Sequence, residues 1–391
     1  MGNRKTGCFF LVKKFLLTIM LVVLLLTAGM AAYNFNQPKA TEHPAVLAAN
    51  EQVRIAESMN VRKRLGNKVW PGWGDVTIPV LLYNEQYAFL TGLQNPAEGW
   101  KRVPYSTIHG KSWELVDSPT PYYRQPLPET GETPQAFIVQ IGDSYVASMT
   151  TKAWTKIHLS ELIKQDVPDF LKPIVPYQLF TSKFNSDWHI ASILHESFHA
   201  LQAHRAYPRL VDAEKSALLE STYPWHNADF RNAWVQERQL LARALSEKNP
   251  KLMREDIRKW LTVRAQRRAS IDSSLIYYEK QREWLEGMAK YAEINIWMQA
   301  ANQDLYHPIA GLEKDHQFSF YQNAKNQREQ EIRQLKSDLG FSESMLYYSG
   351  WAQCELLDRL NVNWKSLIFE PGMFLDDLIR ESLTAPPVVQ K

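Results

Sequence analysis

Five residues, His195-Glu196-Ser197-Phe198-His199, constrain this chain of 391 residues more than any others. In a helix, positions i and i+4 share a face, so both imidazoles can meet one metal ion. A Glu directly after the first His stands where water activated by that ion needs a base. The string therefore calls for a helix, and its flanks agree. Ile190, Ala191, Ile193 and Leu194 precede it, Phe198, Ala200 and Leu201 continue the apolar pattern, and no Gly or Pro interrupts. Asp187 is the expected N-cap, because its carboxylate can accept from first-turn amides, and Tyr207-Pro208 is the expected end. The competing reading is a buried helix with two satisfied histidines.

Two histidines hold zinc weakly, and a catalytic zinc usually takes three protein ligands and leaves a fourth position for water. A third His six residues after the second is one known solution, but Arg205 occupies that position. His204, five residues past His199, points about 140° away from it around the helix. The remaining route is a Glu from a later helix. Glu279, Glu283, Glu286 and Glu293 fall near one face of such a helix, where a row of acids is ordinarily a solvated surface. Glu286 differs in its setting. Gly287 and Ala289 follow it, and small residues let two helices approach closely enough for a short carboxylate to reach a metal. Leu285, Met288 and Ala292 supply an apolar stripe alongside. Glu283 is the next choice.

With His195-Glu196-x-x-His199 and Glu286-Gly287-x-Ala289-x-Tyr291-x-Glu293 in view, the chain resembles the gluzincin class of zinc metalloproteases, in particular poorly characterised bacterial members. The similarity spans about 185–370, and Tyr348-Ser349-Gly350 before Leu356-Leu357-Asp358-Arg359-Leu360 belongs to it. The resemblance implies one Zn²⁺ per chain on His195, His199 and Glu286, with Glu196 as general base. The spacer between His199 and Glu286 is longer than in the best-known members. Thermolysin-like enzymes also place an Asp four residues after the ligand Glu to hold the first His, and here that position is Lys290. Glu293, Glu237 or Glu220 are the candidates to orient the histidine instead. The donor to an oxyanion is open among Tyr291, Tyr347, Tyr348 and His226.

Composition narrows the class. The chain is 45% hydrophobic and 22% charged, with a net charge of +3, and it has 13 Trp and 17 Tyr. That apolar content suits a large core, and so small a net charge with no basic run on an aromatic platform gives no reason to expect nucleic acid. The cluster Arg264, Arg267 and Arg268 reads as a solvated helix face. Cys8 and Cys354 are expected not to pair, and Cys354 reads as a buried small hydrophobe.

Residues 15–32 carry no charge, and 18 residues of helix span about 27 Å, enough to cross a hydrocarbon core. Arg4, Lys5, Lys13 and Lys14 precede the run and no charge follows until Lys39. By the positive-inside rule the N-terminus is cytoplasmic and everything after about residue 33 lies outside. The run is either a retained single-pass anchor, which we favour, or a signal peptide cut at the small residues 28–32 and followed by secretion.

The expected organisation is a basic cytoplasmic N-terminus (1–14), the apolar segment (15–32), a tether with a short helix from Val46 to Met59 (33–75), a β-rich portion (76–155), a helical metallopeptidase portion (156–383) and a disordered tail (384–391). Strands are expected at 76–83, 135–141 and 144–149, with 116–134, which holds five prolines, as a loop. Helices are expected at 159–172, 187–206, 211–221, 227–247, 250–268, 270–301, 326–338, 342–360 and 372–383. The fold class is thus α+β, predominantly α: a zincin-like helical catalytic domain with a smaller β-containing portion before it. An edge strand of that portion could hold an extended peptide by main-chain bonds.

The function these signs imply is hydrolysis of peptide bonds by an extracytoplasmic, membrane-tethered zinc metallopeptidase acting on a peptide or protein. Two alternatives come from other classes. One is a non-proteolytic envelope binding or assembly module that keeps the scaffold, against which the intact Glu196 argues. The other is a zinc amidase acting on cell-wall amide bonds, which has no wall-anchoring repeat to support it.

Overall fold

The computed structural model describes residues 4–94, 96, 99–103, 107–108, 111–112, 114–115, 118–119, 122–128, 138–165, 167–182, 184–337 and 342–384. The fold is α+β, with helices in the large majority. Helix α1 (Arg4–Phe35) contains the apolar run, and Leu17–Phe35 is the one stretch among the described residues that is long and apolar enough to cross a membrane. Helix α2 (Ala49–Val69) follows. It is longer than the expected short helix and is a core element, with Val53, Val61 and Leu65 buried.

One mixed sheet has six strands: β1 (Val80–Tyr83), β2 (Tyr87–Thr91), β3 (Lys101–Arg102), β4 (Tyr122–Pro126), β5 (Ile138–Ile141) and β6 (Ser144–Thr150). Their order across the sheet is β3-β4-β2-β1-β6-β5, with β1 and β6 parallel and every other pair antiparallel. Side chains alternate between faces at period two. Val80, Leu82, Phe89 and Met149 pack with Ile55 of α2 and Ile193, while Leu81, Tyr83, Leu90 and Val146 fill the other face. Strands β2, β3 and β4 were not foreseen. The 116–134 stretch is not all loop: Ser118–Pro119 pairs with Glu114–Leu115, and Tyr122–Pro126 is an inner strand. Its proline stands at the strand's last position, where a missing amide is tolerated. Most of the remaining 116–134 stretch, residues 135–137 of the expected strand and the tail 385–391 lie outside the described residues.

Helices α3 (Lys152–Gln165) and α4 (Tyr177–Thr181) lead to α5 (Ser186–Ser216), which carries the histidine string. The helix expected at 159–172 starts earlier and stops at 165, since Pro168, Pro173 and Pro176 break the next stretch into turns. Asn185, not Asp187, caps α5, accepting from the Trp188 amide at 2.9 Å. Asp187 is buried and accepts instead from the amides of Ser319 (2.7 Å) and Tyr321 (2.6 Å). Near the expected end, Ala206 leaves helical geometry (φ −153°, ψ 57°), and the helix resumes at once to Ser216. Pro208 thus falls in the first turn of the second segment, where it costs no hydrogen bond.

Helices α6 (Ala228–Ser246), α7 (Pro250–Arg268) and α8 (Ser273–Arg282) follow. A π-helical turn (Glu283–Gly287) joins α8 to α9 (Met288–Ala300), and α10 (Ala324–Lys336), α11 (Ser344–Arg359), α12 (Trp364–Leu367) and α13 (Leu375–Thr384) complete the chain. One apolar cluster runs from Val53 of α2 through Ala147 of β6 and Leu194 of α5 to Trp284, Trp351 and Ile379.

Candidate metal centre

Helix α5 presents His195 and His199 one turn apart, with ring centroids separated by 4.8 Å. The π turn brings Glu286 to them from across the core. The two Nε2 atoms lie 3.1 Å apart, and Glu286 Oε2 is 3.4 Å from each. Among the described residues, His195, His199 and Glu286 form the one group of three His, Cys, Asp or Glu side chains that could hold a metal ion. Glu196, adjacent on α5, is half-buried.

The histidine tautomers follow from what lies behind the rings. His195 Nδ1 donates to Glu293 Oε2 at 3.0 Å, and His199 Nδ1 donates to Gln202 Oε1 at 2.8 Å. Gln202 is held in that orientation because its amide nitrogen donates to the carbonyls of Trp284 (3.0 Å) and Leu285 (3.1 Å) in the π turn. When both rings are neutral, their Nε2 lone pairs then face Glu286 Oε2, so that three acceptors converge on one point. The other oxygen, Glu286 Oε1, accepts from Arg282 Nη2 at 3.0 Å. Lys290 stands where the resemblance would put an Asp. It bonds Glu293 Oε1 at 3.0 Å, leaving Oε2 for the histidine, and pairs with Glu331 at 3.0 Å.

Charge follows the same geometry. Burial disfavours a charged imidazole at His195, yet Glu286 and Glu293 push its pKa up to about 10. His199 is raised too, against burial, by Glu286. Burial would raise the Glu286 carboxyl, but His199, His195 and Arg282 hold it well below the usual range. Without an ion the cluster thus holds protons, because its field favours positive charge at that point. Burial raises Glu196, opposed by His199 and His195 and assisted by Glu286.

The other sequence candidates separate. Glu293 joins the cluster. The Tyr291 hydroxyl bonds Asp358, and its ring packs against Trp364. Tyr348 is partly buried against the core. His226 is exposed in the turn before α6. Tyr347 lies in the field of the Glu286 carboxylate: burial, Glu286, Glu343 and Glu196 push its hydroxyl far above the ordinary range, against Arg282.

Glu237 sits in a separate buried network. Arg264, Arg267 and Arg268 are not a solvated face but are all buried. Arg264 pairs with Glu237 (2.7 Å), Glu283 and Asp376 (3.2 Å), Arg267 with Glu237 (2.6 Å) and Glu279, and Arg268 with Glu279 (2.7 Å) and Asp376. Ser349 Oγ donates to Glu283 at 2.6 Å. The acidic row is accordingly buried, and its members divide between two partners. Glu279 and Glu283 answer the arginines, while Glu286 and Glu293 answer the histidines. Gln202 was missed, although its i+3 spacing from His199 was visible; its anchor, the π-turn carbonyls, was not. Arg282 was missed for a similar reason, its bond to Glu286 being only one of several i, i+3 and i, i+4 charge pairs that the stretch offers.

Compared with known proteins, the chain matches no family model, no curated protein and no solved structure.

Proposed function

We propose that this protein is a zinc-dependent metallopeptidase of the gluzincin type, held at the membrane by α1 with the rest of the chain extracytoplasmic. The observation that carries the reading is the spacing of the three acceptors. Tetrahedral ligands about 2.0–2.1 Å from a central ion stand about 3.3 Å apart. The separations here are 3.1, 3.4 and 3.4 Å. Nitrogen and carboxylate donors with their second atoms already bonded suit zinc.

When bound, a divalent ion supplies Lewis acidity and brings the pKa of water near 7. The chain's own residues do the rest. Glu293 and Gln202 hold the two imidazoles in the tautomer that leaves Nε2 free. Glu196 takes the proton from the attacking water and returns it to the leaving amine nitrogen. Tyr347 is our candidate donor to the developing oxyanion. The membrane assignment rests on the length of the apolar stretch and on the one-sided basic flank of Arg4, Lys5, Lys13 and Lys14.

The test measures metal content and hydrolysis of a peptide library together. Wild type is expected to bind about one zinc per chain. Glu196→Gln should retain the metal and lose hydrolysis, and His195→Ala should lose both. Hydrolysis surviving in Glu196→Gln, or a wild type that takes up no zinc, overturns the reading.

A further inference from the structure

With α1 read as the membrane anchor, a second apolar surface is left unexplained. Asn34, in the last turn of α1, donates to the carbonyls of Pro173 (2.8 Å) and Val175 (2.9 Å). These bonds tie the point where the apolar helix ends to the turns between α3 and α4. In those turns and in α4, Phe170, Leu179 and Phe180 are 78%, 68% and 54% exposed, and Phe35 at the end of α1 is exposed as well. Scattered exposed apolar side chains are ordinary, but large ones gathered beside a membrane helix are not. Lys156 and Lys164 stand on the neighbouring face of α3. With Asn34 and Tyr177 they line a recess of about 990 Å³ between α3 and the end of α1.

Resting on that anchor, we infer that residues 167–182 form a membrane-docking face, in which Phe170, Leu179 and Phe180 enter the headgroup region of the leaflet from which α1 emerges. Large apolar side chains flanked by lysines suit that boundary, where the apolar parts are buried and the cations meet lipid phosphates. The occupant is the bilayer rather than another protein because of covalent continuity. α1 holds a membrane beside this face at high effective concentration, so a weak affinity of the face itself is enough for shallow insertion. The docking adds a second attachment that fixes how the domain sits on the surface.

The test uses the full chain reconstituted in phosphatidylcholine–phosphatidylglycerol vesicles. An environment-sensitive fluorophore is placed in turn at Phe180→Cys, at Leu24→Cys inside α1 and at Leu252→Cys on α7, each with Cys8→Ser; Cys354 is buried and does not compete for label. Brominated lipids should quench the labels at 24 and 180 and spare the one at 252. Quenching at 24 with a label at 180 as solvent-exposed as that at 252 overturns the docking face and leaves the anchor standing. A label at 24 that is not quenched sinks the anchor, and the docking face with it.

Discussion

At the scale of single residues, groups that touch no substrate tune the cluster. Glu293 fixes His195 through Nδ1, and removal of such an outer partner typically weakens a metal site about 10–100-fold. Glu293→Gln is therefore expected to lower zinc affinity by about that factor while leaving the fold intact, as competition against a chromophoric chelator would measure. Glu57 on α2 shows a different cost. It accepts from the Ile309 amide (3.0 Å) and the Tyr321 hydroxyl (2.7 Å), yet burial outweighs these bonds and pushes its carboxyl from 4.5 up to about 7. A folded-state pKa above the unfolded one means that the native state keeps the proton longer. The contribution is complete below about pH 4.5 and is lost as pH rises to 7, by about 3 kcal/mol. Glu57→Gln should accordingly raise Tm at pH 8 and change it little near pH 4.5, as thermal melts at the two pH values would show. His189 has the opposite sign. Burial lowers it from 6.5 to about 4, so its contribution is lost as pH falls through that window.

At the scale of elements, the junction of α8, the π turn and α9 decides which carboxylate reaches the histidines. A π turn is wider than an α turn and is often found at functional sites. Its carbonyls at 284 and 285 anchor Gln202, and its two acids part company: Glu283 is drawn to Arg264 and Ser349, and Glu286 is left to the two histidines. The turn is held there by contact between two glycines. A Cβ on Gly350 of α11 would lie 2.5 Å from the Glu283 carbonyl oxygen, and one on Gly287 would lie 2.4 Å from the Gly350 Cα. Since these neighbours are backbone, Gly350→Ala must push α11 away from the turn. We expect a loss of about 3 kcal/mol, at the upper end for overpacking, together with weaker zinc binding. Denaturant unfolding and metal titration of that variant would check both parts.

At the scale of the molecule, one apolar cluster joins α2, β6, α5, the π turn and α9 to α13. The candidate metal ligands are drawn from α5 and from the π turn, so an ion held there would bridge two parts of this common core. Zinc at a hundred times its dissociation constant should stabilise the fold by about 2.7 kcal/mol, provided that the unfolded chain does not bind it. Calorimetry is expected to show one transition that moves up with zinc and back down with chelator. A transition indifferent to both would mean that no ion bridges α5 and the turn.

Features that depend on neighbours within a turn or two were legible along the chain. The 3.6-residue periodicity yielded most of the helices from 187 onward, though not the run of α5 on to Ser216, the π turn or α12, and the i, i+4 spacing set both imidazoles on one face. The uncharged run at 15–32 marked the one helix among the described residues that is long and apolar enough to cross a membrane. Long-range packing sets which way each charged face turns. Arg264, Arg267 and Arg268 look like a solvated surface until Glu237, the Glu279–Glu283 stretch and Asp376 are brought in from three separate places on the chain. Tyr291 follows Glu286 closely but turns to Asp358, while Gln202 becomes an orienting group through the π-turn carbonyls of Trp284 and Leu285. Helix formation is a local preference, but burying a charge is possible only when its counter-charge arrives from elsewhere, and sequence order does not record that meeting.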